Sequence, residues 1–150
     1  MKRTRVRRQT EQAVAPMLAA GERLERSGPT WAVERRGRTP LLFRARDLHR
    51  VVLTDQRLLL FRRPRRGQPL SPDDLVLAKR FPSLQLDRVR GLRPMLQLRL
   101  RTPADRGIVL EFRPRQRGLG RDLETRVGGR RRGRKRSRLA LPPGPVEREA

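Results

Sequence analysis

The side chains that support acid–base or metal chemistry are few in this sequence and poorly grouped. His49 is the single histidine and cysteine is absent, so sites built from several histidines or from cysteine ligands are excluded. No clear nucleophile accompanies His49, which favours a structural or surface role for it. The adjacent pair Asp73-Asp74 follows Ser71-Pro72, and this arrangement is typical of a turn or a helix cap rather than of a catalytic carboxylate pair.

Two glycine-containing stretches are the remaining candidates for a catalytic or cofactor site. Residues 118–120 (Gly-Leu-Gly) and 128–130 (Gly-Gly-Arg) are too short for a phosphate-binding loop, and neither ends in Gly-Lys-Ser/Thr. The sequence therefore predicts a protein that is not an enzyme, with no cofactor, no metal site and no evident small-molecule substrate.

Basic residues dominate the composition. Lys and Arg total 39 against 15 Asp and Glu, a formal net charge of +24, and all but three of the basic residues are arginine. Residues 1–12 carry +4 and residues 128–150 carry +6, which leaves +14 on residues 13–127. The whole chain therefore attracts anions, whether anionic lipid headgroups, an acidic protein or nucleic acid. The arginine excess has an alternative origin in a GC-rich genome, where arginine codons are abundant.

A run of basic residues near the C-terminus cannot belong to a hydrophobic core. It lies in residues 128–150, which lack apolar periodicity and end in a proline-rich stretch, so we expect a disordered tail there. Its functional interpretation is electrostatic capture of a phosphate-rich polymer or an anionic membrane, and the alternative is a solvated tail that reflects codon usage. The candidate anion-binding residues of this run are Arg130, Arg131, Arg132, Arg134, Lys135, Arg136 and Arg138.

The elements that must position these charges are mainly β-strands. Residues 51–53 and 58–61 are two apolar runs separated by residues 54–57 (Thr-Asp-Gln-Arg), a pattern that predicts a β-hairpin. A tight turn with Asp55-Gln56 as its two loop residues places Leu53 opposite Leu58, and the register then continues outward from that pair. A four-residue type I loop is the alternative, because neither loop residue is glycine. Both faces of this hairpin are apolar near the turn, so we expect it to be covered on both sides.

A second hairpin is predicted from residues 95–102 and 108–113, which flank a loop at 103–107. Leucines alternate with polar and charged residues in the first strand, as in a sheet with one exposed face. The predicted register places Leu100 opposite Leu110, and it sets Arg99 opposite Glu111 on the exposed face.

The chain as a whole divides into a domain and two tails. Residues 1–12 are predicted to be a disordered basic arm, residues 13–127 the domain, and residues 128–150 a disordered Arg-rich and Pro-rich tail. Residues 73–81 are compatible with a helix or a strand, and their alternation favours the strand. Other expected elements are a helix at 13–20, a turn at 27–29, strands at 31–33, 41–46 and 83–89, and a helix at 117–127 that ends at Gly128. This order predicts a mainly β fold, a small curled antiparallel barrel with a C-terminal helix.

The aromatic residues lie within apolar runs, which favours positions in the core over a platform for stacking bases. They are Trp31, Phe43, Phe61, Phe81 and Phe112.

The N-terminal segment does not fit a secretion signal or a membrane span. The longest apolar run, residues 13–20, is short and contains Pro16. We therefore expect a cytoplasmic protein that can associate with the inner face of the membrane.

Two motifs carry a resemblance to a known family. Residues 18–22 (Leu-Ala-Ala-Gly-Glu) precede an apolar strand, and residues 51–61 place Leu-Thr-Asp-Gln-Arg inside an apolar hairpin. In these features the sequence resembles the bacterial pleckstrin-homology-like (PH-like) domains, which are related in shape to the eukaryotic pleckstrin-homology and GRAM domains. The resemblance covers residues 18–127. It implies a seven-stranded curled barrel with a C-terminal helix, no enzymatic chemistry and no uniform ligand.

Eukaryotic relatives that bind phosphoinositides carry a lysine followed by Lys/Arg-x-Arg on the first two strands and their connecting loop. Here Arg35, Arg36 and Arg38 lie in the corresponding loop, Arg44 and Arg46 form the spaced pair, and the leading lysine is missing. Arg-x-Arg is frequent by chance in a chain this rich in arginine. The resemblance implies a non-enzymatic binding or adaptor domain for an anionic membrane surface or a protein partner. The alternative is a basic protein that binds nucleic acid nonspecifically.

Overall fold

The fold is given by a computed structural model that describes residues 2–36, 47–65, 68–91, 95–104 and 106–138, with side chains except at 2, 35–36 and 129–138. Helix α1 (Lys2–Val14) precedes seven strands and helix α2 (Arg117–Arg138) follows them. The strands are β1 (Leu24–Arg36), β2 (Asp47–Thr54), β3 (Arg57–Arg62), β4 (Leu75–Arg80), β5 (Gln85–Arg90), β6 (Leu96–Arg101) and β7 (Arg106–Phe112). They form one antiparallel sheet in the order β4-β3-β2-β1-β7-β6-β5.

The sheet curls into a half-barrel, which confirms the predicted mainly β fold with a C-terminal helix. Residues of β3 and β5, far apart in the strand order, meet in one buried cluster, and α2 packs on the same side. We call this side the inner face. A second cluster lies on the opposite, outer face, where Val14 of α1 packs on Val52, Leu59 and Phe61.

The first predicted hairpin is confirmed in its register and in its cover on both faces. Val51 and Leu53 belong to the inner cluster, whereas Val52 and Leu59 belong to the outer one. Apolar residues on both sides of one strand therefore require the two layers of cover that α1 and α2 supply. The observed pairs are Val51 with Leu60, Val52 with Leu59 and Leu53 with Leu58.

The second hairpin forms, but its predicted register is wrong by two residues. Leu100 pairs with Ile108 rather than with Leu110, because the loop occupies only residues 102–105. A shift of two residues keeps every side chain on the same face, so the apolar pattern fits both registers equally well. Turn geometry decides between them.

The same shift overturns the predicted cross-strand ion pair. Glu111 lies opposite Gln97, and Arg99 lies opposite Val109. Gln97 and Glu111 are both buried, so this part of the outer face is not the exposed surface that alternation suggested.

The predicted Ser-Gly-Pro turn at residues 27–29 is wrong, because β1 runs through it without a break. A Cβ at Gly28 would lie 2.5 Å from Gln116 Oε1 and 2.8 Å from Leu119 Cδ2, so glycine here allows the start of α2 to approach the strand. Pro29 is tolerated because β7 pairs with β1 only from Trp31 onward, which leaves that edge of the strand without a ladder.

Residues 75–80 form β4, so the strand interpretation is confirmed for them. The strand follows a 3-10 turn over Pro72–Asp74. Ser71 Oγ accepts a hydrogen bond from the Asp73 amide at 3.3 Å, and the Asp74 carboxylate accepts one from the Ser71 amide at 2.9 Å. The adjacent aspartates therefore serve the cap chemistry that their context predicted.

The N-terminal segment is a helix, not the disordered arm that we expected for residues 1–12. Residues 15–17, in turn, form only a 3-10 turn instead of part of a helix at 13–20. Val6, Thr10 and Val14 are spaced four residues apart and lie on one side of α1, and Thr10 and Val14 are buried. This short stripe holds the helix to the sheet, although arginines surround it in the sequence.

The C-terminal helix has the predicted buried stripe of Leu119, Leu123 and Val127. It does not end at Gly128, and its backbone continues to Arg138, within the tail that we predicted to be disordered. A glycine inside a helix costs only about 1 kcal/mol relative to alanine, so it does not by itself stop one.

Three phenylalanines occupy the core as predicted, since Phe61, Phe81 and Phe112 are buried. Trp31 does not, because its side chain is half-buried on the outer face, where the Arg113 guanidinium lies 5.1 Å from the ring centroid. Phe43 lies outside the described residues.

Candidate anion-binding site

The residues predicted to bind anions all lie outside the part of the chain whose side chains are described. Arg35 and Arg36 end β1, where their backbones pair with Gly107 and Arg106. Arg38, Arg44 and Arg46 belong to residues outside the described ranges. The backbones of Arg130, Arg131, Arg132, Arg134, Lys135, Arg136 and Arg138 are in the last turns of α2, and their side chains are not described.

The two motifs that carry the family resemblance meet in a buried network. The Glu22 side chain is fully buried and accepts hydrogen bonds from Thr54 Oγ1 at 2.6 Å, Arg57 Nε at 2.8 Å and the Ala19 amide at 2.8 Å. Burial alone raises the pKa of Glu22, but these hydrogen bonds outweigh it and hold the pKa below 4.5. The carboxylate is therefore ionised and held as a structural anion.

The remaining residues of the two motifs also connect the segment before β1 to the β2–β3 turn. Gly21 has a φ of +77°, a conformation that favours glycine, and it turns the chain into the network. The Asp55 carboxylate accepts a hydrogen bond from the Arg23 amide at 3.0 Å, and Thr54 Oγ1 accepts from the Arg57 amide at 2.9 Å. These contacts join the segment before β1 to the β2–β3 turn, so the motif has a structural role here.

A basic groove lies on the outer face, between α1, the sheet and the connection from β7 to α2. Three adjoining clefts of about 880, 270 and 350 Å³ share Pro29 in their lining and together form this groove. We call it the outer groove and define it by five of its arginines together with Pro29 and Trp31. These residues are Arg3, Arg50, Arg63, Arg113, Arg115, Pro29 and Trp31.

Acidic residues are nearly absent from the described lining of the outer groove. Glu25 alone contributes a carboxylate, and Arg126 already binds it from α2. Arg7 at the rim is bonded to Glu11 at 2.9 Å. The guanidinium groups of Arg50 and Arg63 have no hydrogen-bond or ion-pair partner in the described part of the chain.

Arg50 is the unusual member of this set. It projects from β2 on the outer face beside Pro29, and it is half-buried beneath α1. Burial lowers the pKa of the Arg50 guanidinium, and repulsion from Arg63 lowers it further. An arginine remains charged under these conditions, so the described residues leave here a positive charge without a counter-charge, which an incoming anion stabilises.

An apolar floor adjoins the arginines. Pro29, Trp31 and Leu48 line the cleft of about 350 Å³, and Arg113 covers the tryptophan ring. A stretch of apolar surface beside guanidinium groups suits a ligand that has both a hydrocarbon part and an acidic group.

A separate cavity of about 280 Å³ lies at the end of the half-barrel, between the ends of β1 and β2 and the β6–β7 loop. Its lining mixes charges, with Glu34 bonded to Arg106 at 3.4 Å and Asp47 and Lys79 nearby. Thr102 Oγ1 is buried there and has no hydrogen-bond partner among the described residues. This mixed lining fits an anion less well than the outer groove does.

The structural or surface role predicted for His49 stays a prediction, and the residue lines both the cavity at the end of the half-barrel and the cleft beside Arg50. It is half-buried in β2, with Nδ1 2.9 Å from the Asp47 carbonyl oxygen. Among the described residues, no group of three or more His, Asp or Glu side chains is arranged to hold a metal ion. Neither described helix combines the length and the apolar content that crossing a membrane requires.

No protein-family model matches the chain, and no curated protein matches it at a significant level.

Sequence reasoning missed the outer groove because the signal for it is not local. Arg50 and Arg63 are two arginines among 36, and nothing in their sequence context separates them from the rest. The available signal was the stripe of Val6, Thr10 and Val14, which predicts a helix that covers the outer face and half-buries whatever lies beneath it.

Proposed function

We propose that this chain is a PH-like binding module without enzymatic activity, and that it attaches to anionic membrane surfaces through the outer groove. The seven-stranded curled sheet with a C-terminal helix agrees with the fold that the family resemblance implies. The Gly-Glu and Thr-Asp-x-Arg motifs meet at one junction, which supports reading them as parts of one fold rather than as chance matches.

The observation that carries this proposal is the excess of arginines over carboxylates in the outer groove. Each basic side chain near an anionic surface contributes about 1 kcal/mol to binding. Arg50 and Arg63 have no acidic partner within the described residues, so their charge is available to such a surface. The apolar floor at Trp31 gives the same surface an apolar contact.

A nonspecific interaction with nucleic acid is the second candidate, and the net charge of +24 favours it. The described aromatic residues do not support recognition by base stacking. Phe61, Phe81 and Phe112 are buried, and Arg113 covers Trp31. We therefore expect DNA binding to follow from charge alone and to weaken steeply with salt.

Vesicle and DNA binding by the full chain test the proposed function. We expect binding to vesicles of phosphatidylcholine with phosphatidylglycerol, little binding to pure phosphatidylcholine, and partial retention of the first at physiological ionic strength. Duplex DNA binding should be lost more completely over the same change in salt.

The double variant Arg63→Gln with Arg115→Gln should weaken vesicle binding more than the charge-matched control Arg80→Gln with Arg88→Gln, whose two exposed residues lie in β4 and β5. Equal effects of the two double variants, or stronger retention of DNA than of vesicles, would count against membrane attachment through the groove.

A further inference from the structure

We propose that Arg50 and Arg63 form a binding site for one phosphate group of the monoester type, between α1 and the outer face of β2 and β3. This inference rests on the proposed function, because it names the chemical group that the outer groove takes from an anionic surface. It concerns the cleft of about 270 Å³ that α1 and the segment after β3 enclose.

The cleft supplies charge and neutral hydrogen-bond donors, and no acid opposes them in its described lining. Arg50 lies on the sheet side and Arg63 follows β3. Gln9, on α1, and Gln68 also line the cleft, and each carries a side-chain amide. Two guanidinium groups and two amides can together donate to several oxygens of one small anion.

Arg50 differs from two other half-buried arginines, Arg57 and Arg126, whose charges the fold itself neutralises. Arg57 donates to the buried carboxylate of Glu22, and Arg126 is bonded to Asp122 at 3.0 Å and also to Glu25. In each case the fold supplies the anion that a partly desolvated guanidinium requires. For Arg50 the described residues supply none, and the nearby charge is the like charge of Arg63. The missing anion is therefore expected from a ligand.

A phosphate monoester neutralises the charges of Arg50 and Arg63 better than a diester does. A monoester carries a charge of about −1.5 to −2 near neutral pH and presents three acceptor oxygens, enough to engage the planar forks of two arginines at once. A diester carries a single charge shared over two free oxygens, so it neutralises only one of the two guanidinium groups.

Calorimetric titration of the full chain tests the site with soluble probes. We expect inorganic phosphate and phenyl phosphate to bind at one saturable site and dimethyl phosphate to bind much more weakly. Arg50→Gln and Arg63→Gln should each lower the phenyl phosphate affinity by about tenfold or more, because each removes a charge-assisted pair of hydrogen bonds. Arg80→Gln removes the same charge from the far end of the sheet and should leave the affinity nearly unchanged.

Thermal unfolding provides a second readout that does not depend on a ligand. Arg50→Gln removes an unpaired and partly desolvated charge, so without phosphate its melting temperature should equal or exceed that of the unaltered chain. Phenyl phosphate should raise the melting temperature of the unaltered chain and fail to raise that of the variant. Loss of binding together with a folded, undiminished melting transition rules out misfolding as the cause.

Vesicles distinguish a lipid source of the phosphate from a soluble one. Preference for phosphatidic acid over phosphatidylglycerol at equal surface charge, lost in Arg50→Gln, supports the site and assigns it to a lipid headgroup. Phenyl phosphate binding with no such preference supports the site and assigns it to a soluble monoester. The absence of saturable monoester binding overturns the site even where anionic vesicles still bind, and in that case the proposed function stands. Equal monoester binding in Arg50→Gln, Arg63→Gln and the unaltered chain also overturns it.

Discussion

At the scale of single residues, the arginines of this protein differ in what neutralises them. Arg57 and Arg126 are bonded to carboxylates of the same fold, so their charges are satisfied internally and they hold segments together. Arg50 is half-buried without such a partner in the described chain. Some arginines therefore connect segments of the fold, whereas Arg50 is available to an external anion. The composition does not distinguish these two roles, but the contacts of each side chain do.

The buried Glu22 makes the stability of the fold sensitive to acid. Its pKa is held below 4.5 in the folded state, so ionised Glu22 stabilises the fold above its unfolded pKa, and that contribution is lost as the pH falls through the folded pKa. Glu22→Gln leaves Arg57 without its anion and should cost about 2–4 kcal/mol of unfolding free energy at neutral pH. Urea titrations of both proteins across the acidic range measure this.

The test is the difference in unfolding free energy between the unaltered chain and Glu22→Gln. It should be full at neutral pH and should shrink as the pH falls from the unfolded pKa of Glu22 through its folded pKa, because the protonated glutamic acid then resembles the glutamine. Asp73→Asn serves as the control, since this exposed carboxylate has no partner of its own in the described chain. A difference for Glu22→Gln that stays constant down to strong acid would show that the carboxylate is not the stabilising group.

The residue scale also marks where sequence reasoning reached its limit. The residue types of the Gly-Glu and Thr-Asp-x-Arg motifs can be read from the sequence. Their contacts cannot, because Glu22 and Arg57 lie 35 positions apart. The Asp73-Asp74 pair could be assigned correctly to cap chemistry because its context is local. The lack of a carboxylate beside Arg50 among the described residues could not be foreseen, since it depends on every residue that surrounds the cleft.

At the scale of elements, apolar periodicity determined the faces of the strands and left part of the register open. The hairpin of β2 and β3 was predicted in register because its turn is short and both of its faces are apolar. The β6–β7 hairpin was misaligned by two residues, a shift that periodicity cannot detect. Helix α1 was missed because two buried positions among arginines, Thr10 and Val14, are a weak signal, although they suffice once a sheet is present to pack against them.

Helix α2 offers an element-scale prediction that compares two glycines in one turn. A Cβ at Gly120 would lie 2.8 Å from Leu96 Cδ2 and from Phe112 Cδ2, both of them in fully buried side chains. Gly120→Ala should therefore destabilise the fold, because overpacking costs about 1–3 kcal/mol and the gain in helix propensity is about 1 kcal/mol. Gly118→Ala is the matched control, since its Cβ would meet only the end of the Arg26 side chain at 3.4 Å. Chemical denaturation should show opposite signs, and stabilisation by both substitutions would disprove close packing at Gly120.

At the scale of the whole molecule, positive charge is distributed between a folded body and its termini. Residues 13–127 carry +14 and residues 128–150 carry +6. Long-range attraction to a polyanion depends on the sum of these charges, whereas selection of a particular acidic group depends on geometry such as that around Arg50. The two contributions therefore respond to different changes in the protein.

Truncation after Gly128 separates these contributions. The shortened chain keeps the buried stripe through Val127 and loses a net charge of +6, so it should bind duplex DNA and anionic vesicles more weakly and with a shallower dependence on salt. Its affinity for phenyl phosphate should not change, because no described residue of that cleft is removed. Truncation after Leu141 is the control, since it removes the proline-rich end and retains the basic run. Salt titrations of DNA and vesicle binding, with calorimetry for phenyl phosphate, measure both effects. Unchanged polyanion affinity in the shorter chain would assign the attraction to the folded body alone.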